Sequence, residues 1–208
     1  MDSTRRHRPV EIMTEQDIRE ATVGEPVTVN GPVRLMQYNP DWPVMYAREE
    51  ARIRAALGDR VHQLEHIGST SVPGLIAKPI IDMQLLVENT GDESTYAPDL
   101  MAAGYTLRIR EPEWDEHRVF RGTDPDVNLH LFARGSSQAR RHLAFRDRLR
   151  GSDEDRDLYA QTKQRLAEHD WTFVQNYADA KNDVVDEILS RAGVSLSRDG
   201  AAAGKGEG

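Results

Sequence analysis

The run Ile80-Ile81-Asp82-Met83-Gln84-Leu85-Leu86-Val87 constrains this chain more than any other segment. Eight nearly continuous apolar, mostly branched residues suit a β-strand covered on both faces, which demands a layered fold. Asp82 and Gln84 interrupt the run, and alternation along a strand sends both to one face. Burying an unpaired carboxylate is costly. Asp82 is therefore expected at a strand end facing a cleft, or beside a partner such as a bound cation.

The segment just before it is a polar turn, Gly68-Ser69-Thr70-Ser71-Val72-Pro73-Gly74. Gly68 permits close backbone approach or positive φ. Three hydroxyls in a row and successive N–H groups can form a concavity for an anion, and Lys78 adds positive charge. The plain alternative, a surface turn whose hydroxyls satisfy nearby backbone, stands level with this on the residues alone. Further along, Asn128-Leu129-His130-Leu131-Phe132 alternates again, with Asn128 and His130 on one face. If that strand lies beside the Asp82 strand, His130 reaches the same cleft as a ligand or general base. The composition alone favours a half-exposed histidine on a sheet face.

Around these segments the pattern reads as strands first and helices last. Thr14–Ala21 reads as a short helix capped by Thr14, Val27–Tyr38 as a strand or hairpin, and 41–57 as a helix. Val61–Ile67, Tyr105–Ile109, His117–Arg121 and Val127–Ala133 read as strands, with a helix at Glu93–Ala103. Ser137–Leu149, Asp153–His169 and Phe173–Ala192 read as three helices. The expected fold class is α+β, a mixed β-sheet with flanking helices and a C-terminal helical segment. Residues 27–194 form the expected domain, between a loosely ordered arm at 1–26 and a Gly/Ala-rich disordered tail at 195–208.

The chain has 208 residues, no cysteine and a formal net charge of −8. Without cysteine there is no disulfide, thiolate catalysis or Cys-based zinc site, so any metal must sit on oxygen or imidazole. The acidic balance argues against broad nucleic-acid binding, which needs a basic face, although not against one small basic pocket. No run of 18 apolar residues and no signal-peptide core is present, so no membrane association and a cytoplasmic location are the expectation.

Several strings together resemble the GrpB family, which is grouped with the nucleotidyltransferase-like fold. They are Tyr38-Asn39-Pro40-Asp41-Trp42-Pro43, the stretch from His66 to Leu75 with Ala77 to Asp82, Gly104-Tyr105, Asn128 to Leu131, and Phe145 to Arg150. Tyr159 with Lys163, and Tyr177 with Lys181, complete the match, which runs from about Val33 to Ala192. In the wider superfamily a Gly-Ser turn binds nucleotide phosphates and paired carboxylates hold Mg²⁺ for in-line attack on the α-phosphorus. The resemblance implies that Gly68, Ser69, Thr70 and Ser71 cradle phosphate and that Asp82 is the first carboxylate. The departures are Gln84 where a second carboxylate is expected, and Asn128 and His130 where a third is expected. Members also resemble a domain fused to dephospho-CoA kinase, but no P-loop string occurs here.

In the helical half, Arg146 and Arg150 lie four apart on one helix face and suit phosphate, while acidic neighbours make a salt-bridged surface the ordinary reading. Lys163 and Lys181 join them if their helices pack over the cleft. Trp171, Phe173 and Tyr177 read as core.

The resemblance thus implies Mg²⁺-dependent nucleotidyl transfer, or activation of a carboxylate as its adenylate, from a nucleoside triphosphate to a small acceptor. Asp82 and His130 are its catalytic and metal-binding candidates. Gly68, Ser69, Thr70, Ser71, Lys78, Gln84, Asn128, Arg146 and Lys181 are its substrate- and phosphate-binding candidates. The alternative is a module that binds a nucleotide, a CoA-related ligand or another phosphorylated small molecule without the full metal cluster.

Overall fold

A computed structural model describes residues 12–28 and 32–194. Short helix α1 (Glu15–Ala21) starts at Thr14, whose side chain and Asp17 form a reciprocal capping box. Helix α2 (Trp42–Leu57), with Pro43 in its first turn, buries Trp42, Ile53 and Leu57. The strands are β1 (Gln63–Ile67), β2 (Ile81–Val87), β3 (Thr106–Glu111), β4 (His117–Thr123) and β5 (Asp126–Ala133). Helix α3 (Ala97–Ala102) precedes β3, and α4 (Ser137–Gly151), α5 (Asp153–Ala167), α6 (Val174–Asp179) and α7 (Asn182–Arg191) follow β5. None of the described helices is long and apolar enough to cross a membrane.

The strands form one mixed sheet in the order β1-β2-β5-β4-β3. Strand β2 pairs antiparallel with β1 and parallel with β5, and the β3-β4-β5 pairs are antiparallel. The α+β architecture expected from the sequence is the one found. One sheet face sends Ile81, Met83, Leu85, Val87, Phe120, Leu129 and Leu131 into a core with α2 and α3. Leu85 is wholly buried, so its truncation to alanine should cost roughly 2–5 kcal/mol. The opposite face carries Asp82 and Gln84 and is roofed by the last four helices. A smaller cluster, including Val72, Leu75, Leu149, Tyr159, Val184 and Ile188, ties that roof to the turn before β2.

Three expectations change. The segment 27–38 is no ladder strand: residues 29–31 lie outside those described, and the rest makes isolated bridges, Thr28 to Phe173 and Met36 to Ala77. Tyr96, at φ −141°, interrupts the helix expected over Glu93–Ala103, and Pro98 sits in the first turn of the restarted helix. The expected helix Phe173–Ala192 is two helices broken at Ala180-Lys181, where Lys181 N–H donates to Ala178 O at 3.2 Å. The halves answer to different partners. Asp179 accepts from Met13 N–H, tying α6 to the N-terminal arm, whereas Val184 and Ile188 of α7 pack on the turn cluster. The candidate tail and the first eleven residues lie outside the described residues.

Candidate functional site

The turn before β2 is tight because Gly68 lies directly against Asp82. Gly68 has φ +66°, and a Cβ added there would lie 2.8 Å from the Cβ of Asp82. Only glycine tolerates both the dihedral and the approach. Ser71 N–H and Ser71 Oγ–H both donate to Gly68 O, at 3.2 and 2.6 Å, and close the turn. Thr70 is buried, with its hydroxyl 3.0 Å from His66 Nε2 and donating to Ile80 O at 3.1 Å. Of the three hydroxyls, Ser69 is the one met by a cation: Lys163 Nζ donates to Ser69 Oγ at 2.9 Å and also to Ile76 O.

Register then assembles the sheet side. Asp82 is paired with Asn128 and Gln84 with His130 in the β2–β5 ladder, and Asn128 with Arg121 across β4. Asn128 Nδ2 donates to Asp82 Oδ1 at 2.9 Å, and Arg121 Nη1 donates to Asn128 Oδ1 at 2.8 Å. His130 Nε2 lies 4.0 Å from Asp82 Oδ1, so the expected convergence of these two residues is present. Burial raises the Asp82 carboxyl above its ordinary range, against the hydrogen bond from Asn128 and the nearby Lys78, Lys181 and Arg121 charges.

The helical roof supplies Lys163 and Lys181, and the segment before β2 supplies Lys78. Lys181 Nζ lies 4.3 Å and Lys78 Nζ 5.4 Å from the centre of the Tyr177 ring, and Lys163 Nζ lies 4.9 Å from that of Tyr159. Tyr177 is buried, as expected of a core residue, yet its ring also forms a wall of this cluster. Burial, then neighbouring ammonium charge, pushes Lys163 and Lys181 down to about 7. Burial also lowers Lys78. Lys78, Lys163, Lys181 and Arg121 thus surround Asp82, with Arg121 also paired to Asp126 at 3.0 Å and Asp179 near Lys181, and an arriving anion would favour the protonated form of the two lysines held at about 7.

Gln84 is not a vacant metal ligand. It is 1% exposed, donates from Nε2 to Ala139 O at 3.2 Å, and its Oε1 lies 3.0 Å from His142 Nδ1. It therefore fastens α4 to the sheet. Burial and the charges of His117 and Arg141 push His142 down to about 3, which keeps it neutral. His130 is likewise held well below its ordinary value by burial and its two histidine neighbours.

Two residues outside the sequence-based candidates extend this row. His117 Nε2 lies 3.0 Å from His130 Nδ1, and His117 Nδ1 lies 2.7 Å from Glu111 Oε2. A line Glu111–His117–His130 thus runs along the sheet and ends beside Asp82. The alternation of 117, 119 and 121 on β4 holds the signal, but only the β4–β5 register, with Val119 opposite His130, sets His117 on the diagonal to it. Arg146, in contrast, points past the cleft: its Nη1 donates to Glu65 and His66 O at 2.8 and 3.1 Å.

Among the described residues no three His, Asp or Glu side chains converge to hold a metal ion. Asp82 Oδ1, already accepting from Asn128, and His130 Nε2 make a poor resident Mg²⁺ site, since Mg²⁺ prefers several oxygen ligands.

Residues 32–191 match the family model of the GrpB protein. The chain belongs to the GrpB family. It is 55% identical over 179 residues to the UPF0157 protein BH1888 of Halalkalibacterium halodurans, covering 86% of this chain and 92% of that one. It is 44% identical over 171 residues to the UPF0157 protein SCO7215 of Streptomyces coelicolor, covering 80% and 90%. The crystal structure of GrpB from Enterococcus faecalis superposes with a TM-score of 0.67 at 29% identity, covering 76% of this chain and 96% of that one. The strings from Tyr38 to Lys181 that suggested GrpB in the sequence fall within the matched residues, and the cluster of Gly68, Asp82, Lys163 and Lys181 lies inside them.

Proposed function

We propose that this GrpB protein binds a nucleoside triphosphate in the cleft and transfers its nucleotidyl group to a small acceptor. The observation that carries this reading is the lysine cluster, Lys78, Lys163 and Lys181, gathered around Asp82 at the Gly68-Ser69 turn. On this reading the lysines, protonated as phosphate arrives, supply much of the positive charge that paired carboxylates would otherwise recruit as metal. Ser69 and the N–H groups of the turn orient phosphate, and the ammonium groups stabilise charge on the leaving pyrophosphate. The acceptor's hydroxyl or amine attacks the α-phosphorus and pyrophosphate departs. The proton of the nucleophile passes to Asp82, whose basicity burial raises, with His130 Nε2 beside it as a polar partner. A Mg²⁺ ion arriving with the triphosphate would meet Asp82 and His130, and no step here depends on it.

Thermal shift with nucleoside triphosphates, in Mg²⁺ and in chelator, tests binding; pyrophosphate release across hydroxyl and amine acceptors tests transfer. A raised midpoint persisting in chelator, lost in Lys181→Gln, is the expected result. The absence of any stabilisation by triphosphates overturns the reading. Stabilisation without pyrophosphate release supports the second reading, a phosphorylated-ligand-binding module. The role of Gln84 as a fastener of α4, not a ligand, favours that alternative.

A further inference from the structure

The turn that faces Asp82 has an outer side, and that side lines a second cavity. At the β1 edge of the sheet, an open cavity of about 480 Å³ lies between the start of α2, β1, the turn and helices α4 and α5. Its wall includes three guanidinium groups, Arg146, Arg150 and Arg156, and the carboxylate of Glu65, with Asp147 and Asp153 paired to the arginines from beside it. Tyr46 and His66 add a pair of stacked rings, 4.8 Å between centroids and 5° from parallel. His66 brings no charge near neutral pH, since burial, then Arg150 and Arg146, push it down to about 4.

The arginines are incompletely used. Arg146 gives Nε to Asp147 and Nη1 to Glu65 and His66 O. Arg150 gives Nε and Nη2 to Ser71 O, at 3.0 and 2.8 Å, and its Nη1 stands 3.8 Å from Asp147. Arg156 gives Nη2 to Asp153 at 2.7 Å and Nη1 to Leu149 O at 3.5 Å, leaving its Nε. Thus Arg146 grips the carbonyl before the turn and Arg150 the carbonyl at its end. Each keeps N–H capacity for a further acceptor, and guanidinium forks match carboxylate and phosphate.

We propose that this cavity is a second anion site, separate from the lysine cluster, for a small ligand bearing a carboxylate or phosphate. The ligand sits between Arg150 and Arg156 with its body against the Tyr46 ring. Because Arg150 and its neighbour Arg146 hold the two ends of the Gly68–Ser71 turn, the site lies directly behind the phosphate-facing surface of the cleft.

Calorimetric titration of the full chain with sodium phosphate and, separately, sodium citrate tests the assignment, and the probe that binds identifies the headgroup. Binding should survive Lys181→Gln, which alters only the cleft, and weaken about tenfold or more in Arg156→Gln. Arg156 touches neither end of the turn, so its replacement leaves the fold intact, as a thermal melt would verify. Arg150→Lys, which keeps the charge but loses the fork, should weaken binding as well. Binding that survives Arg156→Gln and Arg150→Lys but disappears in Lys181→Gln overturns the proposal. So does the absence of binding by either probe at about 10 mM. Nucleotide binding is read separately, so failure of one site leaves the other standing.

Discussion

Gly68 and Asp82 touch across the turn, so that a side chain at position 68 would collide with the Cβ and carboxyl of Asp82. The hydroxyl-bearing turn and the acid are therefore one unit. Gly68→Ala should abolish nucleotide stabilisation and lower stability by roughly 1–3 kcal/mol, the ordinary cost of strained backbone. Adding Asp82→Gly removes the Cβ and carboxyl it would strike but leaves the φ of +66°. The double variant should recover part, not all, of the stability in chemical denaturation. Additive losses would contradict a steric origin.

Asp82→Asn probes the acid itself. Burial already raises its carboxyl above the ordinary range, so loss of the charge should leave the thermal midpoint nearly unchanged while pyrophosphate release disappears. A large fall in midpoint would mark Asp82 as structural.

Protonation of the lysines links pH to stability and binding. Lys163 and Lys181 sit at about 7 in the folded chain, against about 10.4 when unfolded. Between these values the unfolded chain holds more protons, so apo stability rises as pH climbs from about 7 to 10 and falls on the way down. Lys163→Met should flatten that slope in melts taken across the window. A bound triphosphate favours the charged lysines, so binding near pH 8 should take up protons, seen as a dependence of calorimetric heat on buffer ionisation.

Gln84→Glu is the substitution that would restore a superfamily-like carboxylate pair. The structure predicts failure. The amide donates to Ala139 O and accepts at Oε1 from His142, and an ionised carboxylate can only accept. The variant should lose roughly 1–3 kcal/mol in urea denaturation and gain no Mg²⁺ affinity by calorimetry. Tight Mg²⁺ binding with undiminished stability would refute this account.

The Glu111–His117–His130 line should act on turnover through His130. Glu111→Gln is expected to lower kcat several-fold with KM nearly constant, and to shift the ¹⁵N resonances of the His130 ring. Unchanged ring resonances would show that the line does not govern His130.

Much of the site was legible because its sheet half is local. Glycine, hydroxyls and proline announce the turn, and a period of two puts Asp82 with Gln84 and Asn128 with His130 on common faces. The same rules located α1, α2 and the five strands. They could not tell which helical residues would reach the cleft. Lys163 meets Ser69 across 94 positions of sequence and Arg146 meets Glu65 across 81. Helical periodicity defines a face but not its docking. So Arg146, read as a phosphate ligand, lies behind the turn, while Lys163 joins Lys181 inside. Gln84, read as a missing carboxylate, proved to be a clasp on α4, because its partners belong to a helix more than fifty residues away. The sequence by itself determined the turn, the acid and the strand that carries it, since these depend on neighbours in the chain. Only the packing of helices on the sheet brought Lys163 and Lys181 to the local pair Lys78 and Asp82, because docking is decided by burial between residues far apart in the chain.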